Sequence, residues 1–359
     1  MASTEFASGS SQTVKRWSDM LYREAIQRTF FSKFAGRSKG SIIQVLTDLE
    51  KNAGDQIKYD LRLQNRSSGV QGDNPLKGYE RALTFAQDTV SINQLRQGHE
   101  FKAMSQQRTT HDLREEAKAA LVEWWAWQLD GLMFAYLAGT CGAGPETVQE
   151  TIDDAGGDAV GFAGNALRTA SSGHEVSAVG AATSISDIDK MVATAKTVNP
   201  TIQPVEIDGG NYYVLIVHPY TAYALRSETG ETKWNLIQQR AGERGKDNPI
   251  FSGALGIYNQ TIIYESEYIP ITTATPRNYN LFLGAGAGVF AMGNAYNKRA
   301  RAKVGGGSFF SWSEEIDDYG NSEGVGSGAI FGIQKSQFSI NGTATDLGVI
   351  RYLTDDAAP

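Results

Sequence analysis

THDLREEAKAALVEWWAWQLDGLMFAYLAG, residues 110–139, decides how the rest of the chain is read. Together with Thr109 it predicts one helix over 109–139. Thr109 stands three residues before Asp112, the Ser/Thr-x-x-acid signature of a helix start. Asp112, Glu115 and Glu116 fall in the first turns, where the helix dipole favours negative charge. No proline interrupts the run, and Gly139, Gly142, Gly144 and Pro145 end it. About 30 residues rising about 1.5 Å each span about 45 Å, longer than an ordinary globular helix. The first half carries a narrow apolar stripe of Leu113, Ala117, Ala120, Leu121 and Trp124. From Trp125 to Leu137 the run is apolar nearly all round. Such a gradient places one end at a surface and the other in a core. A membrane span is a poor reading, because Glu123, Gln128 and Asp130 would sit in lipid.

Upstream, residues 1–12 are small and polar. Trp17, Met20, Leu21, Ile26, Phe30, Phe31 and Phe34 then appear at mixed spacing among charges, up to Gly36. This reads as an arm with exposed aromatic anchors, packed either on its own chain or across a neighbour. SIIQVLTDL, residues 41–49, is a short apolar element. DQIKYDLRL, residues 55–63, alternates strictly, with Ile57, Tyr59, Leu61 and Leu63 on one face. A polar, glycine-bearing tip follows, and ERALTFAQDTVSINQL reads as the return strand. Its apolar phase shifts between Phe85 and Val90, which suggests a bulge or twist. Residues 54–100 thus form an extended hairpin, marginal alone in water, that covers its own domain or a neighbouring copy.

Downstream, residues 142–180 are rich in Gly, Ala, Ser, Thr and Asp and read as loop with little core. SISDIDKMVATAKTV predicts a helix capped by Ser184, with Ile185, Ile188, Met191, Val192 and Ala195 on one face. NYYVLIVHP is a buried strand closed by Pro219; TAYALR and TKWNLIQQR are short helices. TIIYES reads as an edge-like strand and NYNLFLGAGAGVFAMG as one strand with a glycine-rich end. Short strands separated by Gly- and Asp-rich turns fill the remainder.

The chain has 359 residues, 41% hydrophobic and 20% charged, a composition that excludes fibrous and wholly disordered classes. The net charge of −7 argues against a protein whose main task is gripping DNA or anionic lipid. One cysteine, Cys141, permits no intramolecular disulfide and no Cys-based zinc site. The first residues lack the apolar run of a signal peptide, so synthesis in the cytoplasm is expected. His99, His111, His174 and His218 form no metal-binding pair, and no nucleophile elbow or Walker loop occurs. The run from Gly286 to Ala291 loosely matches a dinucleotide fingerprint, but the glycines should open a helix within a βαβ unit. Lys298, Arg299, Arg301 and Lys303 are a dense basic patch, either a solvated face or a contact to nucleic acid or to a neighbour's acidic segment. No catalytic, cofactor-binding or metal-binding residue is assigned.

The order of parts resembles the major capsid proteins of tailed bacteriophages, in the branch of the N-four-like phages. The strings that carry the resemblance are GDQIKYDLRL, GYERALTFAQDTVSINQLR, QRTTHDLREEAKAAL, VLIVHPYTAYALR, TKWNLIQQR, NPIFSGALGIYNQTIIYE, SWSEEIDDYG, IFGIQK and DLGVIRYL. They run from Trp17 to Leu353, with nothing recognised in 142–180. The resemblance implies an α+β, HK-ninety-seven-like capsid fold. Residues 1–36 would be an N-terminal arm and 54–100 an extended loop over a neighbouring subunit. Residues 37–53 and 101–183 would form a peripheral domain with spine helix 109–139. Residues 184–268 would form an axial domain, and 269–359 would return to the peripheral domain. Arm and hairpin become intersubunit elements, with Trp17, Phe30, Arg62, Arg66, Asp73, Lys77 and Arg81 as expected contacts. The family's crosslinking variant needs a lysine-asparagine pair; Lys58 and Lys77 lie on the loop, but no partner asparagine is identifiable. Implied partners are further copies in hexamers and pentamers, a separate scaffolding protein, a portal and decoration proteins, around packaged double-stranded DNA and without a membrane. An encapsulin-like compartment of the same fold is the alternative; a nucleotide-dependent oxidoreductase is a more distant one.

Overall fold

The computed structural model describes residues 21, 24–38, 40–50, 54–62, 69–80, 82–83, 85–141, 162–181, 183–207, 209–227, 255–272, 277–293, 309–340 and 342–357. Among the described residues two large sheets, of eight and six strands, pack on one long helix, and two two-stranded ribbons, Gln56–Arg62 with Phe85–Ser91 and Gln337–Ile340 with Thr343–Asp346, accompany them. That helix runs Leu113–Ala138, one turn shorter at its start than 109–139. Asp112 is the cap itself, its carboxylate accepting from the N–H groups of Arg114 and Glu115. Thr109 instead ends a separate short helix, Ala103–Arg108. A Thr-x-x-Asp pair offers two capping candidates, and the carboxylate nearer the helix takes the N–H groups. At about 1.5 Å per residue the 26 residues span about 39 Å. Gly139 ends the helix at φ 70°, its N–H bonding to the Ala135 carbonyl. A Cβ there would lie 2.0 Å from the Arg168 carbonyl, so the position needs glycine for both backbone sign and space.

The expected gradient along the helix is present. Every residue from Gln128 to Gly139 is buried, whereas His111, Asp112, Glu115 and Glu116 are exposed. Two positions differ from the stripe read in sequence. Ala120 is exposed, and Trp124 is only half-buried, while Trp125 is fully buried between Phe310 and Phe331. The indole N–H of Trp125 donates to Ser327 Oγ at 3.1 Å, which removes the penalty of burying that donor.

The first sheet has eight strands along the path Glu175–Ser177, Val349–Thr354, Arg277–Leu283, Gly210–Val217, Thr261–Glu265 and Gly256–Tyr258, with Ile271–Thr272 and Val205–Ile207 attached. Its centre is buried on both faces, which explains the unbroken apolar run VLIV. Val214 and Ile216 face the long helix; Tyr213, Leu215 and Val217 face helices Ile185–Thr197 and Pro219–Ser227. The first of these starts at the expected Ser184 cap, in a capping box with Asp187, and its whole expected face is buried. Thr261–Glu265 is not an edge: it lies parallel to Gly210–Val217, and Gly256–Tyr258 covers its other side.

The second sheet is built on the 14-residue strand Ser322–Lys335. Phe310–Asp317 and Gly288–Met292 pair along one side, Asn93–Lys102 along the other, and Ile43–Leu46 and Ala35–Gly36 extend it. The run NYNLFLGAGAGVFAMG is therefore two strands, Arg277–Leu283 and Gly288–Met292, in different sheets. After Gly286 the chain enters a strand and no helix opens, so the dinucleotide reading fails for want of the helix terminus that would hold a pyrophosphate.

The described part of the arm packs on its own chain, one of the two readings the sequence left open. Leu21, Ala25, Phe31 and Phe34 are buried in the core of their own chain. Phe30 packs against Phe134 of the long helix and Tyr264 of the first sheet. The backbone N–H groups of Phe30 and Phe31 donate to the buried Asp130 carboxylate at 2.6 and 3.2 Å. Burial pushes Asp130 up to about 6, against the pull of those two N–H groups. Phe30 is thus a core contact rather than an exposed anchor, because the long helix offers both an apolar wall and a carboxylate that satisfies its backbone.

Candidate assembly site

The hairpin pairs Gln56–Arg62 with Phe85–Ser91 in an unbroken antiparallel register from Gln56↔Ser91 to Arg62↔Phe85. No bulge interrupts it. The phase shift seen in sequence has another cause: Ala86, Asp88 and Val90 point inward, and Phe85 points out and is exposed. The hairpin also ends earlier than residue 100. Asn93–Lys102 leaves it to pair with Ser322–Lys335 in the second sheet.

A carboxylate at an inward position must be paired. Asp88 receives both guanidinium nitrogens of Arg168 at 2.6 Å and the Tyr59 hydroxyl at 2.5 Å. The N–H groups of Thr89 and Gln337 add to it. Arg168 also donates to the Lys335 carbonyl at 2.8 Å, which fastens the hairpin to the long strand. Burial, then the adjacent Asp88 charge, raises the Tyr59 hydroxyl far above its ordinary value, so it stays a donor. Behind this pair the Lys335 ammonium meets the Asp346 carboxylate at 3.0 Å, both fully buried. Burial lowers Lys335 from its ordinary value, and Asp346 pulls it back up.

Asn165 holds the hairpin's end as one peptide holds another. Its Oδ1 accepts from the Ser91 N–H and its Nδ2 donates to the Ser91 carbonyl, both at 2.9 Å. The Tyr136 hydroxyl of the long helix fixes this loop, donating to the carbonyls of Phe162 and Asn165. Gly332 makes room beneath, since a Cβ there would lie 2.0 Å from the Ser91 carbonyl oxygen. Residues 162–172, read in sequence as loop with little core, therefore form a clamp on the base of the hairpin. The signal for it was Asp88 itself, a carboxylate in the apolar phase of a strand; its partner lies 80 residues away.

Beyond the clamp the described part of the hairpin is exposed. Residues 69–80, 82 and 83 are exposed apart from a half-buried Val70, and Leu76, Tyr79, Leu83 and Phe85 are large apolar side chains in water. Hydrogen bonds among the described tip residues stay within the tip, as from Asn74 to the Gln71 carbonyl and from Gly78 N–H to Glu80.

The sequence model of the family described as phage capsid protein matches residues 5–357. The chain belongs to that family. The major capsid protein of Pseudomonas phage KPP25 is 27% identical over 383 aligned residues, covering 97% of this chain and 96% of the relative. The capsid of Ralstonia phage GP4 superposes with a TM-score of 0.77 at 28% identity, covering 92% of each chain. The capsid subunit of cyanophage Pam1 does so at 0.69 and 20% identity, covering 100% of this chain and 95% of the other, a likeness of fold alone. The fold is the tailed-phage capsid fold of the HK-ninety-seven type, mixed α+β, as the resemblance implied.

In this phage capsid protein Arg62, Asp73 and Lys77 are exposed on the hairpin. Trp17, Arg66 and Arg81 lie outside the described residues, as do Lys298, Arg299, Arg301 and Lys303 of the basic patch and the expected helix TKWNLIQQR. Among the described residues no cluster of His, Cys, Asp and Glu could hold a metal ion, and no helix is long and apolar enough to cross a membrane.

Proposed function

We propose that this chain is the major capsid protein of a tailed phage and that it self-assembles into the icosahedral head shell around packaged double-stranded DNA. The observation that carries the reading is the end-to-end likeness to phage capsid proteins, in family over residues 5–357 and in fold at a TM-score of 0.77. The physics of the subunit supports it. A clamped hairpin with a bare apolar tip is a poor design for a monomer and a sound one for head-to-tail contacts, which close into rings and tile a shell. Residues 37–53, 101–183 and 269–359, with the long helix as spine, form the peripheral domain. Residues 184–268, with helices Ile185–Thr197 and Pro219–Ser227, form the axial domain around the local symmetry axes. Residues 56–91 are the extended loop, and Arg62, Asp73 and Lys77 its intersubunit contacts. Residues 1–20 complete the arm, with Trp17 as its contact. The acidic net charge suits a wall that must not trap DNA delivered by a motor. Assembly takes place in the bacterial host cytoplasm with a separate scaffolding protein and a portal. The test is size: purified chain, under assembly conditions, should sediment as rings or megadalton shells visible by electron microscopy. A clean monomer under every condition would refute the reading.

A further inference from the structure

Among the described residues one two-stranded ribbon belongs neither to a large sheet nor to the hairpin, Gln337–Ile340 paired with Thr343–Asp346. Such a ribbon is marginal alone in water, yet the base of this one is firmly held. Lys335, just before it, meets Asp346, its last residue, at 3.0 Å, with both side chains fully buried. Gln337 Nε2 donates to the other Asp346 oxygen at 2.9 Å, and the Asp346 N–H donates to Ser171 Oγ at 2.9 Å. A buried ion pair is a weak source of net stability, and fixing one geometry is its better use. The ribbon turns that geometry toward the hairpin. Buried Phe338 meets the Tyr59 ring nearly at right angles, with centroids 5.6 Å apart. The Gln337 N–H reaches Asp88, the residue opposite Tyr59, at 3.3 Å. The hairpin is thus held at two successive inward rows. At Ile57 and Val90 it packs on Leu49, Val289 and Ala291; at Tyr59 and Asp88 it meets Arg168 and the ribbon.

We propose that this ribbon is the stop that sets the angle at which the hairpin leaves the subunit, with Phe338 as the positioning residue, and that this angle sets the curvature of the shell. One point of attachment would let the hairpin swing, whereas two define a direction. The two rows lie about 7 Å apart along the strands, and the last paired row, Arg62 with Phe85, lies about 17 Å from the first. About 1 Å of play at Tyr59 therefore becomes about 2.5 Å at Arg62. The same arrangement accounts for Lys335. Arg168 alone would satisfy the Asp88 carboxylate, but a ribbon free to tilt would give Phe338 no fixed place, and the Lys335–Asp346 pair removes that freedom. The step to curvature rests on the capsid reading. A loop lying over a neighbouring copy carries its own angle into the angle between subunits, and that rotation decides whether a head-to-tail contact closes.

The hairpin's direction is measurable in the unassembled full chain. Spin labels on ketone-bearing residues placed at the exposed positions of Arg62 and Glu116 report the distance from hairpin to long helix by double electron–electron resonance. The otherwise unaltered chain should give one narrow distribution. F338A should give one about twofold wider, from the leverage above, and F338L, which refills most of the space, should return the narrow one. A ribbon that merely adds stability would lower the thermal midpoint of F338A and leave the width in the folded subunit unchanged; that result would overturn the proposal. If F338A loses its far-ultraviolet circular dichroism, Y59A removes the other ring, at a half-buried position, and is held to the same outcomes. Particles assembled from F338A should spread in diameter by electron microscopy where the wild-type chain gives one size. Wild-type diameters despite a widened distribution would overturn the link to curvature. The distance is read without assembly, so a wild-type chain that forms no shells would count against the capsid reading and not against the stop.

Discussion

Arg168→Leu is the perturbation that probes the subunit's organisation most sharply. Arg168 is the bidentate partner of Asp88, whose side chain is only 5% exposed, and it ties that hairpin residue to the Lys335 carbonyl. Removing one partner of a buried pair costs about 3–5 kcal/mol, because the other charge is left without its counter-ion. Asp88 would keep the Tyr59 hydroxyl and the Thr89 and Gln337 N–H groups, which places the loss near the lower end, about 3 kcal/mol. The strands Gln56–Arg62 and Phe85–Ser91 should then open locally before the core does, about a hundred times more often at about 1.4 kcal/mol per decade. The assay is hydrogen exchange of the unassembled subunit, read by mass spectrometry over 56–62 and 85–91, with 121–138 as internal reference. Asp88→Asn combined with Arg168→Leu removes both charges. It should cost about 2 kcal/mol less than the two single losses added together, as contacting residues do in a cycle. Unchanged exchange in both hairpin strands of Arg168→Leu would refute the clamp.

Four further outcomes are expected. Trp125→Asp should unfold the subunit, with a loss above about 4 kcal/mol in chemical denaturation, whereas Trp124→Asp at the half-buried neighbour should cost far less. Gly139→Ala should cost more than about 1 kcal/mol in the same assay, since φ 70° is strained for alanine and the Arg168 carbonyl blocks the Cβ. Deleting residues 65–78 should leave a folded subunit by circular dichroism but abolish shells by electron microscopy. The fourth concerns pH. Asp130 holds its proton up to about 6 when folded and only to about 4 when unfolded, so between these values the folded state binds more protons. The contribution of this group to subunit stability should therefore be fully present below about pH 4 and be lost, by about 2–3 kcal/mol, as pH rises through 6, read by chemical denaturation across that range. Asp130→Asn should flatten that profile. Buried His218, pushed down to about 4, works oppositely on the whole subunit, whose stability falls as pH drops from about 6.5 to 4.

What the sequence made legible was local. The wet start and buried end of the long helix, the Ser184 cap and the Ile57–Tyr59–Leu61 face all follow from periodicity, and the structure bears each out. The helix start was missed by one turn because Thr109 and Asp112 are both good caps, and only the geometry chooses between them. The aromatic residues at 30–34 could serve an own-chain core or a neighbour equally well, since an amphipathic segment does not name its partner. Sheet pairing was illegible for the same reason: Asn93–Lys102 meets Ser322–Phe331 across more than two hundred residues, and no local pattern encodes that register. The clamp left a single trace, Asp88 among apolar neighbours, which admitted a bulge as readily as a buried ion pair.

The measurement that bears most directly on the account is an electron-microscopy density map of particles assembled from the full chain. It should show a closed shell in which the hairpin of each subunit stays held at its base by Arg168 while its outer part lies across an adjacent copy. A shell in which that hairpin folds back on its own subunit and touches no neighbour would contradict it.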